Sequence, residues 1–402
     1  MDFNDTPEEA SFRVEAKEWL KAHAPAQENY DQEHFLDAAK AWQLEKYEAG
    51  WACLRWPKEF GGRGVSAVAA AIFAQEEARY AVPTGPFTIG QGMAAPTLMA
   101  YATEEQKRRY LPKLASGEEI WCQLFSEPAG GSDLAALRTR SVKDGDDWVI
   151  NGQKIWTSGA HYSDFGILVT RSDPTVPKHK GLTYFFVDMK SPGVEVKPIK
   201  QISGQSGFNE VYFTDVRIPD AHRLGEVGAG WTVSLTTLMN ERAAIGSGSG
   251  GMGFDRAFGL ASRIEINGKP AIEDRAVREQ LADWYVKESG LEFTRARTQS
   301  ALSRGETPGP ENSIGKYVGA RKSQEIASFC MELMGAAGVS MDAGIALDGG
   351  VYPQGYLAAP GGRIAGGTDE IMLNIIAERV LGLPQDIRVD KGVPFNEVPT
   401  GN

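Results

Sequence analysis

The sequence predicts a multidomain α+β protein: an N-terminal α-helical domain, a central antiparallel β-domain and a C-terminal four-helix bundle. Three observations carry this expectation. Up to about residue 118, apolar residues recur among charges with helical spacing. From there to about residue 227, short runs rich in β-branched and aromatic residues alternate with Gly, Asn and Pro turns. Beyond that, long helical stretches return, joined by a Pro/Gly loop at 307–312. A chain of 402 residues has room for two or three domains, and the expected divisions are 1–118, 119–227 and 228–402.

Residues 8–23 place Phe12, Val14, Ala16, Trp19 and Leu20 among charges, as an amphipathic helix does. Further helices are expected at 34–49, 67–80 and 103–114, the last opening on a capping-box pattern at Thr103 and Gln106. The expected strands fall at 121–125, 148–150, 165–169, 182–187 and 211–213. Turn signals at 144–146, at Asn151-Gly152 and at 191–193 separate them, which suggests a sandwich or barrel. Helical stretches at 231–244, 275–303, 313–334 and 368–380 follow, and the residues beyond Pro384 read as an irregular tail.

The net charge of −11 argues against a broad electrostatic footprint for nucleic acid. Cys53, Cys122 and Cys330 lie too far apart for a CxxC knuckle or a disulfide framework, which fits a reducing compartment. The five histidines form no HExxH pairing, so no metal site is expected. The acidic, amphipathic N-terminus does not read as a secretory signal, and no apolar run approaches the roughly 20 residues of a membrane span. The expected location is cytoplasmic.

Two segments concentrate chemistry. At 124–133, the run LFSEPAGGSD gathers hydroxyls and glycines at a strand end, where side-chain and backbone donors suit a ring edge or a pyrophosphate. Taken alone, the segment reads better as a plain surface turn. At 151–159, NGQKIWTSG brings Trp156 and Ser158 onto a strand beside the first segment. There the indole can wall a flat ring and the hydroxyl points to the same side; a core Trp with a polar neighbour explains the same residues. Residues 246–251 satisfy GxGxxG, but a helical stretch precedes them, whereas a dinucleotide-binding turn must follow a strand. Close helix packing, or room for a bulky acyl group, explains those small residues better.

Together with 209–219 (NEVYFTDVRIP), 224–231 (LGEVGAGW), 366–371 (GGTDEI) and 376–382 (IAERVLG), these segments resemble the acyl-CoA dehydrogenase family, in family order and over nearly the whole chain. The resemblance implies an FAD-dependent enzyme that converts an acyl-CoA to its trans-2-enoyl-CoA, removing an α-proton and passing a β-hydride to flavin N5. It implies that Ser126 and Ser158 hydrogen-bond the flavin, that Trp156 packs on it, and that Leu124 and Gly131 belong to the same strand and turn. Ser132 falls at a pyrophosphate contact and beside the substrate. Thr368 and Glu370 match positions on the adenosine side. Gly335 and Gly338 match a turn that meets FAD of a neighbouring subunit, although Glu332 stands where many members carry Gln. Arg263 is the candidate for an arginine in a segment that is otherwise altered here. Ser206, Arg242, Gly366 and Gly367 are expected on the substrate side. The resemblance further implies a homotetramer built as a dimer of dimers, or a heterotetramer with a related chain, and an electron-transfer flavoprotein as electron acceptor. A flavin oxidase or monooxygenase, or a non-catalytic subunit of a mixed tetramer, are the competing readings.

A thioester α-proton is a weak acid, so its removal requires a positioned carboxylate. The family's commonest place for that base lies just before Gly-Thr, where this chain has Gly366. A minority of the family carries the Glu on the first long helix after the β-domain, and Glu241 matches it, with Arg242 beside it near CoA. Alone, Glu241 reads as a solvated helix residue; the need for a base makes it the expected catalyst. Asp369 and Glu370 are its rivals, though helix starts favour acids for their dipole alone. The missing carboxylate at Gly366 and the small residues after Glu241 suggest a branched, long or cyclic acyl group.

Overall fold

Capping chemistry sets where the first helices begin. In the computed structural model, which describes residues 5–25, 34–245, 251–303, 309–310, 312–342 and 344–399, helix α1 (Pro7–His23) opens on Thr6, whose hydroxyl accepts from Glu9 N while the Glu9 side chain returns to Thr6 N. Helix α2 (Phe35–Glu48) lacks a side-chain cap, and α3 (Ala67–Glu77) starts on Ser66. A short α4 (Ala95–Tyr101) precedes α5 (Glu104–Ser116), which has the expected Thr103–Gln106 capping box and stops at Gly117, at φ +78°. Stacked Trp19, Trp42, Trp51 and Phe73 bury the faces that α1, α2 and α3 share.

The strands are β1 (Trp121–Leu124), β2 (Arg140–Asp144), β3 (Asp147–Ser158), β4 (Phe165–Arg171), β5 (Leu182–Asp188), β6 (Val194–Ile199), β7 (Phe208–Pro219) and β8 (Arg223–Leu224). They form one eight-stranded sheet in the order β6-β7-β3-β2-β4-β5-β8, with β1 paired to β4. The pairing is antiparallel except that β1 runs parallel to β4 and β2 meets β4 in a single parallel pair. Strands β4 and β5 are buried on both faces and therefore read as continuous apolar runs. One face packs on Leu98, Leu111 and Leu114 of the helices, the other on Trp148, Val211 and Phe213.

The Asn151-Gly152 pair is not the hairpin turn its chemistry suggests. The β2–β3 hairpin turns at Gly145, and Gly152 lies inside β3 at φ +151°, where the register with β7 shifts. Asn151 exchanges hydrogen bonds with Asp215 on β7, 3.0 Å each way. That cross-strand satisfaction, together with a bulge, displaces the turn.

Helix α6 (Gly230–Ile245) follows the sheet. It starts against β5: a Cβ on Gly230 would lie 2.6 Å from the Leu182 carbonyl carbon, so only glycine fits. The chain forms two compact units, and α6 up to Ala244 belongs to the first, with residues up to 200, 206–244 and those from 387 onward. The tail is irregular, as expected, but anchored: Lys178 bridges Asp133 and Asp390, and the Arg171 guanidinium lies 3.8 Å from the Phe395 ring centre.

The second unit, 201–205 and 245–386, holds α7 (Phe254–Arg263), α8 (Arg275–Ser303), α9 (Asn312–Met334), α10 (Val351–Ile364) and α11 (Asp369–Ile375). Trp284, Ile326, Cys330 and Tyr352 fill its core. The helix expected at 368–380 is present, running as α11 to Ile375 and continuing as a π-helix over Ile376–Val380. No helix among the described residues is long and apolar enough to cross a membrane.

Candidate active site

The end of β1 and the middle of β3 are fastened by one buried ion pair. Lys154, wholly buried on β3, donates to Phe125 O at 3.0 Å and to Glu127 Oε1 at 2.8 Å. Glu127 also accepts from the backbone N–H groups of Arg138 (2.6 Å) and Thr139 (2.9 Å). Burial pushes the Glu127 carboxyl up, but Lys154 and these donors overcome it and leave its pKa below the usual value. Between the anchors, Ile155 N donates to Ser126 O at 2.9 Å. Ser126, just beyond the end of β1, is therefore fastened beside Trp156 of β3.

Trp156 stands on a second irregularity, where the β3–β7 register shifts between Lys154 and Thr157. Its φ is +60°, and it is 55% exposed although Lys154 and Thr157 on either side are buried. A bulge re-aims a side chain in this way. Ser158 lies two residues on, half-buried. Gly131 lies beside Ser126: a Cβ there would sit 3.9 Å from Ser126 Oγ. Leu124 is fully buried under this turn, and Ser132 is exposed.

Glu241 occupies the C-terminal part of α6 and is half-buried. Gln123, on β1 beside Leu124, donates its side-chain amide to Glu241 Oε2 at 3.1 Å. One turn earlier, the Thr237 hydroxyl shares hydrogen bonds with Thr97 (2.8 Å) and Tyr184 (2.9 Å), and Thr236 meets Tyr101 at 3.1 Å. These contacts tie α6 to both the N-terminal helices and the sheet. Glu241 thus shares a unit with Leu124, Ser126, Gly131, Ser132, Trp156, Ser158 and Ser206, the last exposed just before β7. Arg242 lies on α6, and the small residues 246–250 lie outside the described residues.

Most of the chain matches family models. Residues 6–118, 122–216 and 228–381 match the N-terminal, middle and C-terminal domains of acyl-CoA dehydrogenase. Acyl-CoA dehydrogenase IpdE1 of Mycolicibacterium smegmatis is 35% identical over 94% of this chain and 98% of its own. The IpdE1 of Mycobacterium tuberculosis is 37% identical over 88% and 90%. The chain belongs to the acyl-CoA dehydrogenase family. FadE34 of M. tuberculosis is 39% identical over 85% of this dehydrogenase, which spans only 46% of that longer protein. Among solved structures, the ChsE4-ChsE5 complex of M. tuberculosis (32% identity) and a protein titled Tcur3481-Tcur3483 steroid ACAD (29%) each superpose with a TM-score of 0.81. Each covers 96% of this chain and 100% of its own.

FAD is the cofactor typical of acyl-CoA dehydrogenases, and the residues present fit it. An exposed indole projecting from a bulge, flanked by half-buried hydroxyls and a turn open at Gly131, offers a flat wall with donors at its edge. The remaining expected residues of this dehydrogenase lie in the second unit. Gly366 (φ +65°) and Gly367 (φ +97°) both take left-handed backbone, and a Cβ on Gly367 would meet Met372 Cε at 2.5 Å. Thr368 caps α11 by accepting from Ile371 N. Gly335 is exposed at φ +56°, and Gly338 is buried against Met331. Glu332 accepts from Ser328, while Arg263 is engaged by Asp348 (2.5 Å) and Tyr352 (3.3 Å).

The rival bases are otherwise occupied. Asp369 is buried and held by Arg363 at 2.7 and 2.8 Å. Glu370 is exposed, and its own backbone N–H and the Thr368 hydroxyl hold its carboxyl below the usual value, which weakens it as a base. Sequence reasoning missed Gln123, Lys154, Glu127 and the Thr97–Thr237–Tyr184 cluster. The only advance signal was opposite charges, Glu127 and Lys154, embedded in strand-like runs.

Proposed function

We propose that this dehydrogenase oxidises an acyl-CoA thioester to the trans-2-enoyl-CoA, with Glu241 taking the α-proton. The observation that carries the reading is the placement of Glu241: half-buried, and joined through Gln123 to the strand that leads into the Ser126 turn. FAD, when bound, supplies the acceptor for the β-hydride. Ser126, Ser158 and the Gly131–Ser132 turn would hold it, with Trp156 against its ring and Thr368 and Glu370 toward its adenosine side. Gly335 and Gly338 would meet FAD of a neighbouring subunit. Arg242, Ser206, Ser132, Gly366 and Gly367 would face the substrate. Partial burial keeps water from competing for the carboxylate and favours proton transfer from carbon.

The acyl group we infer is branched, long or cyclic. The bare Gly366 supports this, as does likeness to a protein whose title calls it a steroid ACAD. Electrons leave to an electron-transfer flavoprotein. The assembly is a tetramer, either of this chain alone or with a related one; two of the similar structures are titled as pairs of different chains. The three domains of this reading meet at 118/119 and 227/228.

The deciding experiment is anaerobic titration of wild type and Glu241→Gln with a panel of acyl-CoAs, following flavin absorbance. Wild type should bleach, most readily with bulky or ring-bearing thioesters. The variant should bind FAD and substrate yet bleach about 10²–10⁴-fold more slowly. A variant that bleaches as fast as wild type would remove Glu241 from the reaction. Highest kcat/KM on butanoyl-CoA, with bulky thioesters inert, would overturn the substrate assignment.

A further inference from the structure

We propose that Gln123 is the positioning residue for Glu241: its side-chain amide holds the carboxylate in one direction for removal of the substrate α-proton. The inference rests on Glu241 being the base. Both ends of the 3.1 Å bond are on anchored elements. Gln123 is paired in register with Ile167 of β4, between Cys122 and Leu124, which are wholly buried. On the other side, Thr237 lies one helical turn before Glu241, and its hydroxyl is locked between Thr97 and Tyr184, all three fully buried. A donor and an acceptor that cannot drift hold a carboxylate to a narrow range of directions, as proton transfer from carbon requires.

The chemistry of the partner matters as much as its position. A carboxamide has no proton to surrender near neutral pH, so it orients the carboxylate without sharing the abstracted proton. Its N–H also favours the ionised form. A titratable group within electrostatic reach of Glu241 is the Tyr184 phenol on β5. Burial raises that phenol's pKa and keeps it neutral, with the Thr237 and Thr97 hydroxyls opposing the shift only in part.

The test uses the full-length, FAD-loaded enzyme, with Glu241→Gln as control and an acyl-CoA that wild type oxidises. In Gln123→Leu, kcat should fall about tenfold while KM changes less than about twofold. The acid limb of kcat/KM against pH should move up by about one unit, because the carboxylate has lost a donor. Gln123→Glu should move it further, since two carboxyls would then share one site. If Gln123→Leu does not fold, Gln123→Asn, which keeps the amide but shortens its reach, should give the same shift. If Glu241→Gln is inactive while the folded Gln123 variants keep wild-type kcat and an unmoved acid limb, Gln123 only packs, and the proposal falls alone. If Glu241→Gln stays active, the base assignment falls and the proposal with it.

Discussion

Two buried carboxylates, one in each unit, sit next to residues expected to hold the cofactor, and they are satisfied differently. Glu127 follows Ser126 and uses both oxygens, accepting from Lys154, Thr139 N and Arg138 N. Asp369 follows Thr368 and takes both contacts from Arg363 on one oxygen; Oδ1 is buried without a partner among the described residues. Lys154 is wholly buried, whereas the Arg363 side chain is 36% exposed. The first site is therefore complete within its own unit, and the second is partly wet and open to one more donor. A scaffold that must hold an aromatic ring edge benefits from the first arrangement. A loop that gains its final contact on assembly or ligand binding tolerates the second.

The contrast predicts a graded set of losses. Lys154→Met should be the most damaging, costing about 3–5 kcal/mol in denaturant unfolding because it strands a buried charge, and FAD occupancy should fall with it. Glu127 adds a pH signature. Its pKa lies below the usual 4.5, so its contribution is complete above that value and declines as pH falls through the native pKa. Glu127→Gln should flatten the acid side of the stability profile. Arg363→Met should cost less, about 1–2 kcal/mol, since solvent reaches the guanidinium. A loss equal to that of Lys154→Met would erase the distinction between the sites. The smallest effect should come from Thr368→Ala, about 1 kcal/mol from losing the cap of α11. Its thermal midpoint should fall only slightly while α11 amides exchange faster.

How much of this was legible depended on whether the signal was local. The Thr103–Gln106 capping box and the apolar runs of β4 and β5 depend on neighbouring residues and appear where expected. Helices α7 and α10 escaped notice. The sequence of α10, VYPQGYLAAPGGRI, carries two prolines and three glycines, and packing against α9 sustains the helix despite that composition. Asn151-Gly152 failed as a turn signal because Asp215, 64 residues away, supplies a partner no local reading can see. Within the site, Ser126, Trp156 and Glu241 were visible by resemblance. Gln123, Lys154 and Thr237 were not, because each matters through a partner distant in sequence: Glu241, Glu127 and Thr97.

The backbone of Trp156 carries a consequence for how this protein tolerates change. A bulky residue at φ +60° pays roughly 1–2 kcal/mol that glycine would not. Trp156→Gly should therefore relax the strand while removing the exposed indole. Selection for thermostability alone would drift toward the smaller residue, and selection for turnover would hold the larger one. Position 156 is then a place where the two pressures pull in opposite directions, and a stabilised variant that has lost its flavin colour is the expected product of ignoring the second.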